Sequence, residues 1–427
     1  MSRVLTGITT TGTPHLGNYV GAIRPAIALS RDPRNQCFYF LADLHALIKC
    51  EDPERLARSR LQIAATWLAC GLDPEQVVFY RQSDVPEILR LSWLLSCVAA
   101  KGLLDRAHAY KAAVDANRER GLDPDAGISM GLFSYPVLMA ADILAFAAEK
   151  VPVGRDQVQH IEIARDLAQR FNHLYGRGEV LLTLPEAVID ERVATLPGLD
   201  GRKMSKSYDN VIPLFAGGAA ALRQAVLAIV TDARAPGEAK DPESNALYPI
   251  YRAFASEEET DAFADELRRG LAWGEAKTRL IDRIEAEIAP LRARYEAWMA
   301  HPARIEEVLA EGARRARAIA SPLVERCLAA AGLRAPLATR SQAERPARRA
   351  IPRLKQYREG DGFFFKLEDG SGRVLLKGGP FPDPRAAAEI LARLKVAGRL
   401  EAEALPYLAE GVTAAEAEQA LAALVHP

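Results

Sequence analysis

The chain has 427 residues, of which 49% are apolar and 26% charged, and its formal net charge is −1. This composition excludes disordered and fibrous classes, predicts about two to four globular domains, and confines any nucleic-acid contact to local basic patches. Five cysteines (Cys37, Cys50, Cys70, Cys97, Cys327) without a Cys-x-x-Cys pair argue against a zinc ribbon, an iron–sulfur site or a disulfide framework, and fit a reduced, cytoplasmic setting.

Val4 to Ile8 reads as a first strand, and the Thr-rich turn from Thr9 to Pro14 leads into a helix near Gly17. Cys37 to Ala42 is a continuous apolar run, the mark of a strand buried on both faces. It ends at Asp43-Leu44-His45, polar groups at a strand's carboxyl end, where open parallel sheets bind ligands. Asp52 is the expected N-cap, and Pro53 the first residue, of a helix reaching about Cys70. Val77 to Tyr80 is the next strand, helices are expected over 86–98, 134–148 and 157–172, and a short strand over Val151 to Val153. This alternation predicts an α/β fold with a doubly wound parallel sheet. Neither the apolar core of a signal peptide nor an apolar run of about 18 residues occurs, so secretion and membrane spanning are not expected.

Past residue 212 the pattern becomes helix on helix. Ser256-Glu257-Glu258-Glu259 is a capping box, Glu275 to Met299 an amphipathic run broken at Pro290, and Pro302 to Ala331 a second such run. Arg334 to Arg358 holds eight basic residues together with Pro336, Pro346 and Pro352, and reads as a basic linker or solubilising tether. Gly362 to Lys377 is a β-hairpin turning at Asp369 to Gly372, with a helix from Pro384 to Val396 after it. The expected division is residues 1–212, a helical domain at 213–333, a linker at 334–351 and a small α+β appendage at 352–427.

Two words carry most of the chemistry. Gly201-Arg202-Lys203-Met204-Ser205-Lys206-Ser207-Tyr208-Asp209-Asn210 reads as a surface loop built for phosphate, in which Lys203, Lys206, Ser205 and Ser207 can close over a triphosphate. Pro14-His15-Leu16-Gly17-Asn18-Tyr19 sets His15 and Asn18 at a helix start, whose N–H groups favour phosphate, and Gly17 permits close approach to the backbone. Asp156 and Gln157 project from another helix start, where simple N-capping by Asp156 is the lesser alternative. In the apolar helix around Ser134 to Leu144, Tyr135, Met139 and Asp142 share one face. A carboxylate in such a face requires a donor, supplied either by a neighbouring helix or by a substrate indole.

These segments resemble the class I aminoacyl-tRNA synthetases, whose motifs are written His-Ile-Gly-His and Lys-Met-Ser-Lys-Ser, and within them the tryptophanyl branch, over residue 1 to about residue 333. The resemblance implies a Rossmann-like domain with a dimer-interface insertion around residues 86–150, an anticodon-binding helical domain, ATP with Mg2+, L-tryptophan, tRNA(Trp) and a homodimer. It implies that His15, Asn18, Lys203, Lys206 and Lys111 meet phosphates, and that Thr9, Gly17, Asp156, Val193, Met204 and Ser205 complete the ATP site. Leu5, Gly7, His45, Tyr135, Met139, Asp142 and Gln157 then form the tryptophan site, with Tyr135 and Gln157 on the amino and carboxylate groups. No metal ligands are implied. Departures from the branch stand at Thr9, at Leu5 where an aromatic is common, and at Ala113 where a second lysine is expected. The alternatives are the tyrosyl branch, which usually has Gln where Met139 stands, and a non-charging paralogue that binds tRNA or tryptophan.

Overall fold

The structure is a computed structural model that describes residues 1–10, 12–189, 195–334 and 352–425, apart from the side chains of Thr9, Asp156 and Val425. Val193 and nearly all of the expected basic linker therefore lie outside the described residues. The chain forms two compact units, Met1–Leu337 and Ala338–Pro427.

The first unit is built on five parallel strands in the order β3-β2-β1-β4-β5: β1 (Ser2–Thr9), β2 (Asn35–Ala42), β3 (Val78–Arg81), β4 (Lys150–Pro152) and β5 (Glu186–Val188). β1 is central, in register with β2 from Ser2↔Asn35 to Thr9↔Ala42 and with β4 at Val4↔Lys150. The chain goes to one side of β1 for β2 and β3 and to the other for β4 and β5. That reversal opens a crevice at the carboxyl ends of the strands.

The first helical stretch joins α1 (Leu16–Asn18), a π-helical turn at Tyr19–Ile23 and α2 (Arg24–Ser30). Then come α3 (Asp43–Ala46), α4 (Pro53–Ala69), α5 (Pro86–Val98), α6 (Lys101–Leu104), α7 (His108–Glu119), α8 (Met130–Leu144) and α9 (Val158–Tyr175). The Asp52 carboxylate caps α4, accepting from the Glu54 and Arg55 N–H groups at 3.0 Å each. The helical region comprises α10 (Gly218–Leu227), α11 (Leu247–Phe254), α12 (Glu257–Arg268), α13 (Trp273–Met299) and α14 (Pro302–Ala330). Ser256 and Glu259 form the expected capping box.

Pro290 does not break α13, which is one continuous helix. Both Pro290 and Ala286, whose carbonyl loses its donor, face solvent, while Ile288 and Leu291 on the other side are buried. Exposure leaves the Ala286 carbonyl open to hydration, and the apolar stripe keeps the helix intact.

Apolar clusters cover both faces of the sheet. One joins Val4, Tyr39, Leu41 and Phe79 to Trp67 of α4, Ile284 of α13 and Leu309 of α14; the other joins Phe38, Phe40 and Tyr80 to α5, α8, α9 and Val324 of α14. Helix α14 thus contributes to both clusters, passing the edge strand β3 on the way. A Cβ at Gly312 would stand 1.6 Å from the Phe79 carbonyl oxygen, so only glycine lets the helix approach that edge.

In the second unit, β6 (Arg353–Glu359), β7 (Gly362–Glu368) and β8 (Val374–Phe381) form an antiparallel sheet, followed by α15 (Pro384–Ala397) and α16 (Ala414–Val425). Phe365, Leu367 and Leu376 meet Leu394 of α15 and Leu421 of α16 in a separate core. The stretch Arg353–Glu359, which lies in the expected appendage and takes in the end of the basic run Arg334 to Arg358, is a strand paired with β7 from Arg353↔Glu368 to Glu359↔Gly362. Its sequence, Arg-Leu-Lys-Gln-Tyr-Arg-Glu, has no clean apolar alternation, and the β7 partner makes it a strand.

Candidate active site

Gly7 is exposed although it sits in the central strand. A side chain there would press on the Phe40 ring at 2.8 Å, so glycine leaves bare backbone as a floor to the crevice. Leu5, two residues back, is buried with Phe40 and Tyr80 in the apolar cluster beneath. Beyond β1 the loop is pinned to α4. The Gly12 N–H donates to Ser59 Oγ at 2.9 Å, the Ser59 hydroxyl donates to the Gly12 carbonyl at 3.1 Å, and Gly12 holds φ +87°.

The His15 N–H donates to Asn18 Oδ1 at 3.1 Å, which fixes the start of the helical stretch. The segment is tied to the chain that follows the lysine-rich loop, since the Leu16 N–H donates to the Ile212 carbonyl at 2.9 Å and His15 bridges Pro213. The His15 ring is buried, and burial together with the Lys206 charge lowers its pKa to about 4. The imidazole is therefore neutral at physiological pH.

The lysine-rich loop is braced from inside by buried Asn210. Its Oδ1 accepts the Ser205 N–H at 2.8 Å, and its Nδ2 donates to Asp200 Oδ1 at 2.7 Å and to the Lys203 carbonyl at 3.2 Å. The Ser205 hydroxyl accepts the Ser207 N–H at 3.3 Å and caps a single turn at Lys206–Tyr208. Met204 is buried, and its sulfur accepts the Gly17 N–H at 3.3 Å. Lys206 reaches back over the first loop, its Nζ 3.3 Å from where a Gly12 Cβ would lie. Burial, and then Arg55, lower the pKa of its ammonium. Lys203 is exposed. The two motifs, far apart in sequence, thus form one surface.

The second half of the site surrounds Asp142, which is fully buried on α8. Gln82 Nε2 donates to both of its oxygens, at 2.8 and 2.9 Å, and His45 Nε2 lies 2.8 Å from Oδ2. Burial pushes the carboxyl pKa up, opposed by His45 and Gln82. Gln82 is itself held, accepting the Leu44 N–H at 3.1 Å and the His45 N–H at 3.4 Å. The Tyr135 hydroxyl is 2.5 Å from His160 Nε2, and the Tyr135 ring stands edge-on to His45 with centroids 6.3 Å apart. Met139 is half-buried at the rim of the same apolar cluster.

Gln157 ends the 3-10 turn Arg155–Gln157 and is the N-cap residue of α9. Lys111 is exposed on α7, and among the described residues no hydrogen bond links it to the other candidates. Gln82, Ser59 and His160 were not singled out from sequence, and Asn210 reads there only as the end of the lysine-rich loop. Gln82 alone had a readable signal, a polar residue just past the carboxyl end of a buried strand, as His45 has.

The chain matches the family described as tRNA synthetases class I (W and Y) over residues 1–288. It is 60% identical to the tryptophan–tRNA ligase of Xanthomonas axonopodis pv. citri over 409 residues, 95% of this chain and 94% of that one. The chain belongs to the tryptophan–tRNA ligase family. The Pseudomonas aeruginosa tryptophan–tRNA ligase is likewise 60% identical, over 92% of this chain and 88% of that one. Among solved structures, the Campylobacter jejuni tryptophanyl-tRNA synthetase complexed with ADP and tryptophan superposes with TM-score 0.70 and 40% identity, over 78% of this chain and all of that one. A tyrosyl-tRNA synthetase from Archaeoglobus fulgidus shares the fold at TM-score 0.52 and 17% identity, over 69% of this chain and 90% of that one. The similarity is thus much greater to the tryptophan–tRNA ligase family than to the tyrosyl branch.

Proposed function

We propose that the chain condenses L-tryptophan with ATP to tryptophanyl-adenylate, releasing pyrophosphate, and transfers the tryptophanyl group to the 3′-terminal ribose of tRNA(Trp). The observation that carries this reading is the fully buried Asp142, oriented by Gln82 and His45 beside Tyr135 and Met139. Beside the Gln82 and His45 contacts the carboxylate keeps lone pairs that can accept an indole N–H, an interaction a benzyl side chain cannot make. Met139 offers a polarizable thioether to a flat ring and no competing hydrogen bond.

The adenylation step is in-line attack of the tryptophan carboxylate on the α-phosphorus, breaking the bond to the bridging oxygen of pyrophosphate. The chain's task is positioning and charge stabilisation. ATP enters as its magnesium complex. Gly17 and Met204 lie against adenine, Thr9, Val193 and Asp156 complete the nucleotide site, and His15, Asn18 and Ser205 meet the phosphates. Lys203 and Lys206 neutralise charge developing on pyrophosphate, with Lys111 closing from α7. Tyr135 and Gln157 hold the amino and carboxylate groups, over a pocket floor of Gly7 and Leu5. The neutral imidazole of His15 contributes hydrogen bonding without a further cation, which leaves the lysines to balance the triphosphate.

Residues 213–333 read the anticodon region. The working protein is a cytoplasmic homodimer, a reading supported by large apolar side chains left in water on the insertion, Trp93 at 70% exposure and Met130 at 72%. ATP–pyrophosphate exchange with each of the twenty amino acids tests the assignment. Exchange stimulated by tryptophan alone is expected, and stronger stimulation by tyrosine would overturn it.

A further inference from the structure

The appendage has a two-faced sheet. Phe365 and Leu367 of β7 point into the core under α15 and α16, while Phe364 and Lys366, the alternate residues, point the other way. On that outward face Lys355, Lys366 and Lys377 are cross-strand partners in one row, one lysine from each strand. The next pair along is Tyr357 opposite Phe364, their rings stacked with centroids 5.5 Å apart and planes 20° from parallel. Lys366 Nζ sits 5.6 Å from the Tyr357 ring and Lys377 Nζ 5.9 Å from the Phe364 ring. A side chain at Gly379 would stand 2.6 Å from Phe364 Cδ1, so on β8 the phenyl ring leans over bare backbone.

Like charges directly opposite one another across a sheet are unfavourable. A row of three lysines beside two half-exposed aromatic rings therefore calls for an anion to complete it. Glu368 answers part of that need, pairing with Lys355 at 2.8 Å and Lys366 at 2.5 Å, which lowers its own pKa to about 2. Lys377 is exposed over the Phe364 ring and, among the described residues, has no ion pair. The Lys355 end of this network is 46% exposed, so a phosphate can compete for that lysine. Lysines tracking a backbone, with aromatic rings offering π-faces between them, match the chemistry of single-stranded nucleic acid.

We propose that this sheet face binds an unpaired segment of RNA, with a base stacked on the Tyr357–Phe364 pair and phosphates on Lys355, Lys366 and Lys377. Given the function proposed above, on which the choice of RNA rests, the ligand is an unpaired stretch of the tRNA substrate. The face adds affinity for tRNA without entering the chemistry of adenylate formation.

The test is fluorescence anisotropy on the full chain, titrated into a labelled single-stranded RNA of about sixteen nucleotides, a duplex RNA of equal length, and a tRNA(Trp) transcript, over a salt series. The combined Lys355→Gln, Lys366→Gln and Lys377→Gln variant is expected to bind single-stranded RNA and tRNA about tenfold more weakly near 0.1 M salt, with a shallower salt slope. Phe364→Leu keeps apolar bulk but removes the π-face, and should weaken single-stranded RNA about fivefold or more while leaving the duplex unchanged. Unchanged affinity in both variants, or equal loss on single strand and duplex with Phe364→Leu, would overturn the proposal. Tryptophan-dependent ATP–pyrophosphate exchange needs no RNA and is expected to be intact in both variants, which verifies folding. Its absence from the unsubstituted chain would sink the proposed function and leave anisotropy to decide the sheet face.

Discussion

The Gly17 backbone N–H donates to the Met204 sulfur at 3.3 Å, a contact between residues 187 positions apart. It joins the start of the first helical stretch to the lysine-rich loop. A glycine is required at this junction, because a Cβ at position 17 would lie 3.0 and 3.1 Å from His15 ring atoms and 3.4 Å from the Met204 sulfur. Gly17→Ala should push the loop away from His15 and raise the KM for ATP by about tenfold, a loss of about 1.4 kcal/mol. Tryptophan affinity should stay within about twofold, since Asp142 and its partners do not touch Gly17. Steady-state exchange kinetics with each substrate varied in turn gives the answer, and an unchanged KM for ATP would show that the loop is free to shift.

Lys206 reaches over Gly12 and sits beside buried His15 with its pKa lowered by burial. A cation held in that position acts most strongly on charge that develops as pyrophosphate leaves. Lys206→Ala should slow adenylate formation by about 100- to 1,000-fold and leave the tryptophan Kd within about threefold. Single-turnover measurements separate the two. Weakened tryptophan binding at an unchanged rate is the result that contradicts the role.

Asp142 receives donors from Gln82 and His45 and is fully buried. Asp142→Asn removes its charge and places an amide N–H where acceptors are needed. The expected result is a fall in kcat/KM for tryptophan of about 100-fold or more, with a smaller gap to phenylalanine. The KM for ATP should move less than about threefold. Asp142→Ala should in addition lower the unfolding free energy by about 1–3 kcal/mol, because the Gln82 amide is left buried and unpaired. A fully retained preference for tryptophan in a folded Asp142→Asn protein would reduce Asp142 to a structural acid.

Burial and the Lys206 charge depress the His15 pKa from 6.5 to about 4. Between those values the unfolded chain binds more protons than the folded one, so stability rises with pH from about 4 to 6.5 and the contribution is complete above 6.5. Acidification through that window should cost about 2 kcal/mol, allowing for the water that reaches the ring. The ligand-free chain and its His15→Asn variant, compared by urea unfolding at pH 4.5 and 7 (values on the order of the two ends of the window), should differ in slope, with the variant flatter. Parallel pH profiles would falsify the assignment.

Much of the fold was legible because its signals are local. The apolar run at Cys37 to Ala42, Asp52 ahead of Pro53, and the capping box at Ser256 each act within a few residues, and β2, α4 and α12 form where those signals stand. The two motif words were legible for the same reason, since each is a contiguous run of residues. The sequence by itself therefore determined the parallel α/β class and, through the resemblance its motifs carry, which residues are proposed to face ATP and tryptophan. Tertiary structure alone decided how those residues are held. Gln82 is 60 positions from Asp142, and Ser59 is 47 from Gly12, so neither pairing leaves a trace in any local window. Gly312 looks like a helix defect until β3 lies against it, and Arg353–Glu359 looks like a tether until β7 supplies its hydrogen bonds. Periodicity reports which face of an element is buried, but the partner that buries it is chosen by chain crossings and packing across the whole unit.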